Sequence, residues 1–479
     1  MKLRRHQTLR ASLEWSVSLL SADDRAVLRR LGVFVGGFTL ELAQQVASDH
    51  EIDEWRVLDL LGALVDRSLV IADGTPDDGA TPRYRLLEPT RAFALELLAA
   101  SGESAAWLRR HALALVDLFT PIEVSRWALS PAQHQAAALE LGNFRAAVDW
   151  AEGASGDRAL ACLLLARGWP VWFVCATLAE GLERMLRLWP LPTTLAPDIA
   201  ADFGWAMYRC HGESARDEIL ASLRSSVALY RQAGNTERLA EALVGLTMLG
   251  VLRDDQPDTQ ATLDEATRLI GNDTPPRKLG WLASVQACWA WRREDYSQAL
   301  LAIERQAQFF RAAGFEAGVQ MAVNSRCGVL IDSGAYAEAL ALAEDSTQRL
   351  RSLKSPAVAW ALIYVVLGRT MLGDDEGLLP LAQEAFAAGL LIGTTYQPLL
   401  AAAVHHARRG DLQRAALVGG HAQKMRNEQK FHPVAIDLRL QALLRATVEA
   451  VHPRAVFDAW LDAGERLPQA RATALAFDM

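Results

Sequence analysis

The dipeptide Gly-Lys occurs nowhere in the 479 residues, so there is no G-x-x-x-x-G-K-[ST] loop to cradle nucleotide phosphates. No hydrophobic run ending in an Asp follows to hold magnesium, and neither G-x-G-x-x-G nor G-x-S-x-G appears. Cysteine is scarce: Cys162, Cys175, Cys210, Cys288 and Cys327 stand far apart with no C-x-x-C pair. That spacing excludes a disulfide frame or a zinc knuckle and predicts buried thiols of a reducing compartment. No uncharged span is long enough to cross a bilayer, and MKLRRHQTLRASLEW has no apolar signal core, so a cytoplasmic protein without membrane contact is expected. Lysine is rarer than in most chains, with Lys2, Lys278, Lys354, Lys424 and Lys430 the only five among 49 basic residues. The net charge of -8 gives none of the basic bias of a nucleic-acid binder.

What remains is apolar and helical. Half the chain is hydrophobic, enough for two or more cores or one long solenoid. Leu9, Leu13, Val17 and Leu20 recur at helical spacing over residues 7–20. Ser21-Ala-Asp-Asp24 fits a capping box opening a second helix with Val27, Leu28 and Leu31 on one side. Gly36-Gly37 ends it; Thr39–Ala47 and Glu54–Asp66 follow as helices. The period then changes: Ser68–Ala72 and Arg83–Leu87 are strand-like on either side of the polar turn Asp73–Pro82. Helices followed by a two-stranded hairpin predict a winged-helix domain over residues 1–103. The Glu54–Asp66 helix, which would read DNA, offers Glu54, Arg56, Asp59, Asp66 and the following Arg67, and three acids among five make direct DNA contact unfavourable.

From Thr90 onward the pattern is Ala- and Leu-rich helix broken by Gly, Pro or Asp. Residues 104–190 are expected to be linker helices, with Trp150, Trp169, Trp172 and Trp189 as core pieces and Pro190–Asp198 as a boundary. Beyond it, Glu294-Asp-Tyr-Ser-Gln-Ala-Leu300 and Gly334-Ala-Tyr-Ala-Glu-Ala-Leu340 repeat with their tyrosines 40 residues apart. Weaker echoes begin at Gly373 and Gly410, with an earlier one near Gln256. This period predicts a tetratricopeptide-like α-solenoid over residues 191–479, whose stacked units expose a concave surface for a protein or small-molecule effector. His50-Glu51 has Glu54 where a zincin needs its second His, and belongs with the acidic start of the next helix. His405-His406 point about 100° apart on a helix, poor geometry for one metal, and are expected to be solvated. No catalytic constellation emerges, so the chain is not expected to be an enzyme.

Residues 5–103 (RHQTLRASLEWSVSLLSADDRAVLRRLGVFVGGFTLELAQQVA, VLDLLGALVDRSLVIADG, RYRLLEPTRAFALELLAASGE) resemble, in order, the winged-helix segment of large bacterial STAND ATPase regulators, relatives of the apoptotic and plant-resistance NB-ARC proteins. Leu139–Trp189, with its Glu/Asn-rich turn before Arg-Ala-Ala, is similar to their linker helices, and Asp411–Gln429 and Arg454–Phe477 to their C-terminal end. The resemblance implies a P-loop domain immediately upstream, which here is either lost or separated from the chain. It also implies an MHD-type nucleotide-sensing motif, matched by Leu86-Leu87-Glu88 with Leu87 at the His position; Glu88 and Arg91 are then candidate nucleotide-sensing residues. Read from the residues alone, the same two side chains simply stabilise a strand-to-helix junction. ATP or ADP would be a cofactor only of an intact protein supplying that P-loop domain, in cis or in trans; this chain itself holds none.

Three readings follow. A sensor and relay portion of such a regulator predicts an exposed apolar or charged patch around Leu9–Val17 and Glu88–Arg91. A free-standing helical-repeat adaptor predicts a polar outer face on the winged helix. A DNA-binding winged helix predicts Arg4, Arg5, Arg10, Arg83 and Arg85 gathered on one face.

Overall fold

The structure is a computed structural model describing residues 2–73, 82–124, 131–175, 177–211, 216–253, 257–271, 273–353, 355, 357–392, 394–428 and 433–478. The fold is mainly α: a small winged-helix domain followed by an α-solenoid of tetratricopeptide-like helical hairpins. Two units form, one from residues 1–175 with 190–199 and one from residues 176–189 with 200–479.

In the first unit α1 (Lys2–Ser18), α2 (Ala22–Leu31), β1 (Gly37–Thr39), α3 (Leu40–Ala47), α4 (Glu54–Asp66), β2 (Ile71–Asp73), β3 (Arg83–Arg85) and α5 (Glu88–Ala100) make the winged helix. The expected capping box is present, with the Asp24 N–H donating to Ser21 Oγ (3.1 Å) and the Ser21 N–H to Asp24 Oδ2 (3.1 Å). Thr39 and Asp53 cap α3 and α4 in the same way, through the N–H groups of Leu42 and Arg56. Asp53 and Glu54 therefore supply the negative charge at the start of α4, whereas Glu51 lies in the preceding turn, its N–H bonded to Asp49. Val27, Leu28, Leu31, Val57, Leu61 and Leu64 meet in the core.

The sheet differs from the expected hairpin. It has three antiparallel strands in the order β1-β3-β2, because Gly37–Thr39, which local pattern marks only as a helix break, pairs with β3. Gly36 takes a left-handed φ of +87° and turns the chain into β1. The first wing strand starts at Ile71 rather than Ser68, whose own φ is +58°. Most of the Asp73–Pro82 turn lies outside the described residues.

Behind the wing come α6 (Ser104–Val124), α7 (Pro131–Leu139), α8 (Leu141–Glu152) and α9 (Arg158–Val174). Trp169 and Trp172 are buried as expected, whereas Trp150 and Trp189 are half-buried. Gly168 has no room for a side chain, since a Cβ there would lie 2.3 Å from the Phe144 ring.

The second unit holds α10 (Leu178–Leu188), the greater part of α11 (Pro197–Arg209), and then α12 (Asp217–Gln232), α13 (Thr236–Leu252), α14 (Thr259–Leu269), α15 (Pro276–Arg292), α16 (Tyr296–Ala312), α17 (Glu316–Ser333), α18 (Tyr336–Ser352), α19 (Val358–Leu372), α20 (Leu378–Ile392), α21 (Tyr396–Arg408), α22 (Leu412–Glu428), α23 (Ala435–Glu449), α24 (Arg454–Glu465) and α25 (Gln469–Phe477). The repeat signature is a helix-to-helix turn. Before α13, α16, α17, α18, α20 and α22, one residue sits left-handed and the next N–H bonds the carbonyl five residues back, as in Asp295 to Ala290 (3.0 Å) and Ala335 to Leu330 (2.8 Å). The echo near Gln256 lies outside the described residues. Of the paired tyrosines of the repeat, Tyr296 Oη donates to the Asp332 carbonyl at the end of α17 (3.5 Å), and Tyr336 Oη accepts from Arg439 of α23 (3.2 Å), whose guanidinium also donates to the Ile331 and Asp332 carbonyls.

His405 and His406 are buried, contrary to the expected solvated pair. His406 Nε2 donates to the Ala476 carbonyl (2.9 Å) and His405 Nδ1 lies 3.4 Å from Asp375, so α25 and the turn before α20 cover them. Three of the five cysteines are buried as expected, and burial pushes Cys162 up to about 11 and Cys210 and Cys327 up to about 12, whereas Cys175 and Cys288 are half-buried.

Five of the six left-handed turn positions are glycine; the sixth is Glu294, at φ +60°. An L side chain there costs on the order of 1 kcal/mol, partly offset by the chain entropy that glycine adds to the unfolded state. Glu294→Gly is expected to stabilise the second unit by about 0.5 kcal/mol and Gly334→Ala to destabilise it by about 1 kcal/mol, both read from urea midpoints.

Candidate site at the wing and its linker

Glu88 and Arg91 occupy the first turn of α5, where Pro89 at the helix start fixes the bend out of β3. Arg91 is largely committed to the fold: Nε donates to the Phe34 carbonyl (2.7 Å) beyond the end of α2, and Nη1 pairs with Glu88 Oε1 (3.1 Å). Glu88 is 78% exposed, and its neighbour Leu87 is also exposed. The two candidate sensing residues are thus brought together, one holding the strand-to-helix junction and one presented outward.

Beneath them lies a polar network whose depth sequence pattern did not reveal. Glu140, 2% exposed, accepts from Arg83 Nη1 at 2.7 Å. The same carboxylate accepts from Asn143 Nδ2 (2.6 Å), whose other hydrogen goes to the Gly37 carbonyl (2.9 Å). Asn143 Oδ1 accepts from the Val35 N–H (2.7 Å), and Arg83 Nη2 donates to the Gly37 carbonyl (2.8 Å). Every hydrogen-bonding position of the Asn143 amide but one lone pair is used. The Glu/Asn-rich turn of the linker thereby grips β1 and β3 together. The signal available was Glu140 and Asn143 three residues apart at a helix start; their partners lie up to 108 residues away.

A second clamp joins α6 to α2 and α3. Arg30 stacks on Trp107 (4.0 Å), bonds the Ala47 carbonyl (2.7 Å) and pairs with Asp49, while Arg110 donates to the Gln45 carbonyl (2.8 Å). His111 sits between this clamp and Arg91, its ring edge-on to Phe34 at 5.0 Å. Burial, and then the charge of Arg91, push its imidazole down to about 3.

The wing arginines do not form an open basic face. Arg83 is in the buried network, Arg85 pairs with Asp73 (2.5 Å), and Arg10 bridges Glu14 and Glu96. The side chains of Arg4 and Arg5 lie outside the described ones. Around the expected apolar patch, Trp15 is 66% exposed and Leu19 is also exposed, whereas Val17 is buried.

Residues 20–99 match a family model described as a winged helix-turn-helix domain. A Mycobacterium tuberculosis protein named as an HTH-type transcriptional regulator is 34% identical over 254 residues, covering 50% of this chain and 28% of that protein. An uncharacterized protein of the same organism is 42% identical over 110 residues, 23% of this chain and 27% of its own length. The chain thus spans under a third of the length of the curated relatives it matches. Among solved structures, a signal transduction ATPase with numerous domains (STAND) and a tetratricopeptide repeat sensor from Pyrococcus horikoshii aligns with 94% of this chain and 63% of its own, at 12% identity and a TM-score of 0.47.

Removing one partner of a buried ion pair leaves the other unpaired, which costs about 3–5 kcal/mol. Arg83→Met is expected to destabilise the first unit by about that much. The double variant Arg83→Met/Glu140→Gln should lose clearly less, measured as a double-mutant cycle in urea. His111 gives a pH dependence of defined sign. Unfolded, it takes a proton near pH 6.5 that the folded chain refuses down to about 3. Stability should therefore fall as pH drops from 6.5 toward 3, by up to about 1.4 kcal/mol per unit. His111→Phe, which keeps an edge-on ring against Phe34, should flatten that slope in urea midpoints taken between pH 4 and 7.

Proposed function

We propose that this chain is the sensor and relay portion of a STAND-type signalling regulator. In this reading the helical repeats receive a protein or small-molecule effector, and the winged helix transmits the event to a nucleotide-binding module supplied in cis or in trans. The role is not catalytic. The Glu140–Asn143–Arg83 network supports it most directly, because a displacement of the linker helices would act on β1 and β3 through short, buried, charge-assisted bonds. β3 ends three residues before Glu88, the exposed carboxylate that the motif resemblance puts at the nucleotide domain. Identity to an HTH-type transcriptional regulator over half of this chain supports the regulatory half of the reading.

Physically, such a relay is a two-state equilibrium, and an effector shifts it only by binding one arrangement more tightly. The rigid connection within the first unit carries the shift, and Glu88 with Arg91 would report it beside a bound diphosphate nucleotide. No helix among the described residues is long and apolar enough to cross a membrane. We place the relay in the cytoplasm, and ADP or ATP in the partner module rather than in this chain.

The test is a pull-down titration with the isolated P-loop domain of a STAND regulator, loaded with ADP or stripped of nucleotide. ADP-loaded domain is expected to bind this chain more tightly than stripped domain. Glu88→Lys, at an exposed position that leaves the fold intact, should weaken that binding at least tenfold. Binding that ignores both the nucleotide and Glu88→Lys, or no binding at all, would overturn the reading.

A further inference from the structure

We propose that the outward face of α4 docks a protein partner through a basic, apolar-striped helix. In a DNA-reading winged helix this face would enter the major groove. Here Val57, Leu60, Leu61 and Leu64 turn inward and are buried. The opposite side carries Trp55, Leu58, Asp59, Gly62 and Asp66, all exposed and all within about 100° of one another around the helix. Trp55 is 77% exposed, and Leu58 follows it one turn along at 36%. Gly62 continues the stripe with open space above it, leaving a shallow notch that a side chain of a crossing helix can enter.

Charge selects the occupant. Glu54, Asp59 and Asp66 have no ion-pair partner among the described residues, whereas the nearby cations are drawn aside, Arg56 to Asp23 (3.4 Å) and Arg67 to Asp24 (3.9 Å). Carboxylates along the same helix as an exposed Trp repel the phosphates of nucleic acid and of anionic lipid headgroups. They attract Lys and Arg flanking an aliphatic stripe, the pattern of an amphipathic helix laid on an apolar surface. A Trp of this size has about 150–250 Å² to bury and belongs to the residue types that dominate interface energies. The surface excludes Glu88 and Arg91, so it stands or falls separately from the relay.

The probe is a fluorescein-labelled 16-residue helical peptide with one Leu stripe flanked by Arg, titrated into the full chain and followed by anisotropy. Its twin has Glu in place of Arg. The Arg peptide is expected to bind, with affinity falling as salt rises, and the Glu twin not to bind. Trp55→Ala and Asp59→Lys/Asp66→Lys should each weaken binding at least tenfold, while Trp15→Ala on α1 leaves it unchanged. All four positions are exposed, and an unchanged thermal midpoint shows that each variant is folded. Equal binding by Trp55→Ala, binding of both peptides alike, absence of binding, or displacement of the peptide by duplex DNA or by phosphatidylserine vesicles would overturn the proposal.

Discussion

A buried carboxylate must find partners or lose its charge, and the first unit is arranged around that constraint at Glu140. Its two oxygens are met by a guanidinium from β3 and an amide from α8, and that amide also holds β1. A pair taken so far out of water gains little net stability, because desolvation offsets most of the attraction. What it provides is position: only one placement of the linker on the wing satisfies Arg83, Asn143, the Gly37 carbonyl and the Val35 N–H together. An apolar contact of the same area would tolerate sliding by a fraction of a turn; this network does not. The winged helix and the start of the helical array are thereby a single mechanical piece.

The second unit uses the opposite strategy. Its repeats are joined by turns in which a left-handed residue lets two turn N–H groups close on orphan carbonyls of the preceding helix, and its helices approach closely at Gly204, Gly420 and Gly464, where a Cβ would lie within 2.5 Å of a neighbouring helix's carbonyl oxygen. Each hairpin leans on its neighbour, so stability is distributed rather than concentrated in one network. The exception is the end of α17, where Asp332 accepts from Ile436 N–H (2.8 Å) and Trp291 Nε1 (2.6 Å). Burial raises that carboxyl to about 6, so a polar node again sets the position of one helix, α23, against distant ones.

Features carried by residues close in the chain were legible in the sequence. The Ser21–Asp24 box, the wing strands and the 40-residue tyrosine echo each lie within a window of a few residues or recur at a constant period. Features made by distant partners were not. β1 is three residues long and exists because β3 lies 46 residues later, so Gly36-Gly37 reads as a break and nothing more. His405 and His406 look like a polar pair until Ala476, 70 residues on, closes over one of them. Glu140 and Asn143 were visible as an unusual turn, but their burial depends on Arg83 and Val35. At the candidate site the identities of Glu88 and Arg91 came from motif resemblance, whereas the bond from Arg91 to the Phe34 carbonyl required the fold.

The matching family model is a winged helix-turn-helix domain and the relative is an HTH-type regulator, yet neither assigns DNA contact to this particular helix pair. The matched stretch is 28% of that regulator, so what the whole protein reads leaves open which part reads it. The local physics favours a different use. A recognition helix gains affinity from cations that release counterions from the phosphates and specificity from amide and guanidinium groups at base edges. α4 offers exposed Trp55 and Leu58 with the carboxylates of Glu54, Asp59 and Asp66 along the same helix, while Arg56, Arg67, Arg83 and Arg85 are turned toward acids of the same unit. Recovering DNA affinity would require breaking those pairs, one of them buried, and facing three acids toward the duplex. Keeping the scaffold while exchanging the chemistry of its exposed face requires neither, because Val57, Leu60, Leu61 and Leu64 hold α4 in place whatever its outer side presents.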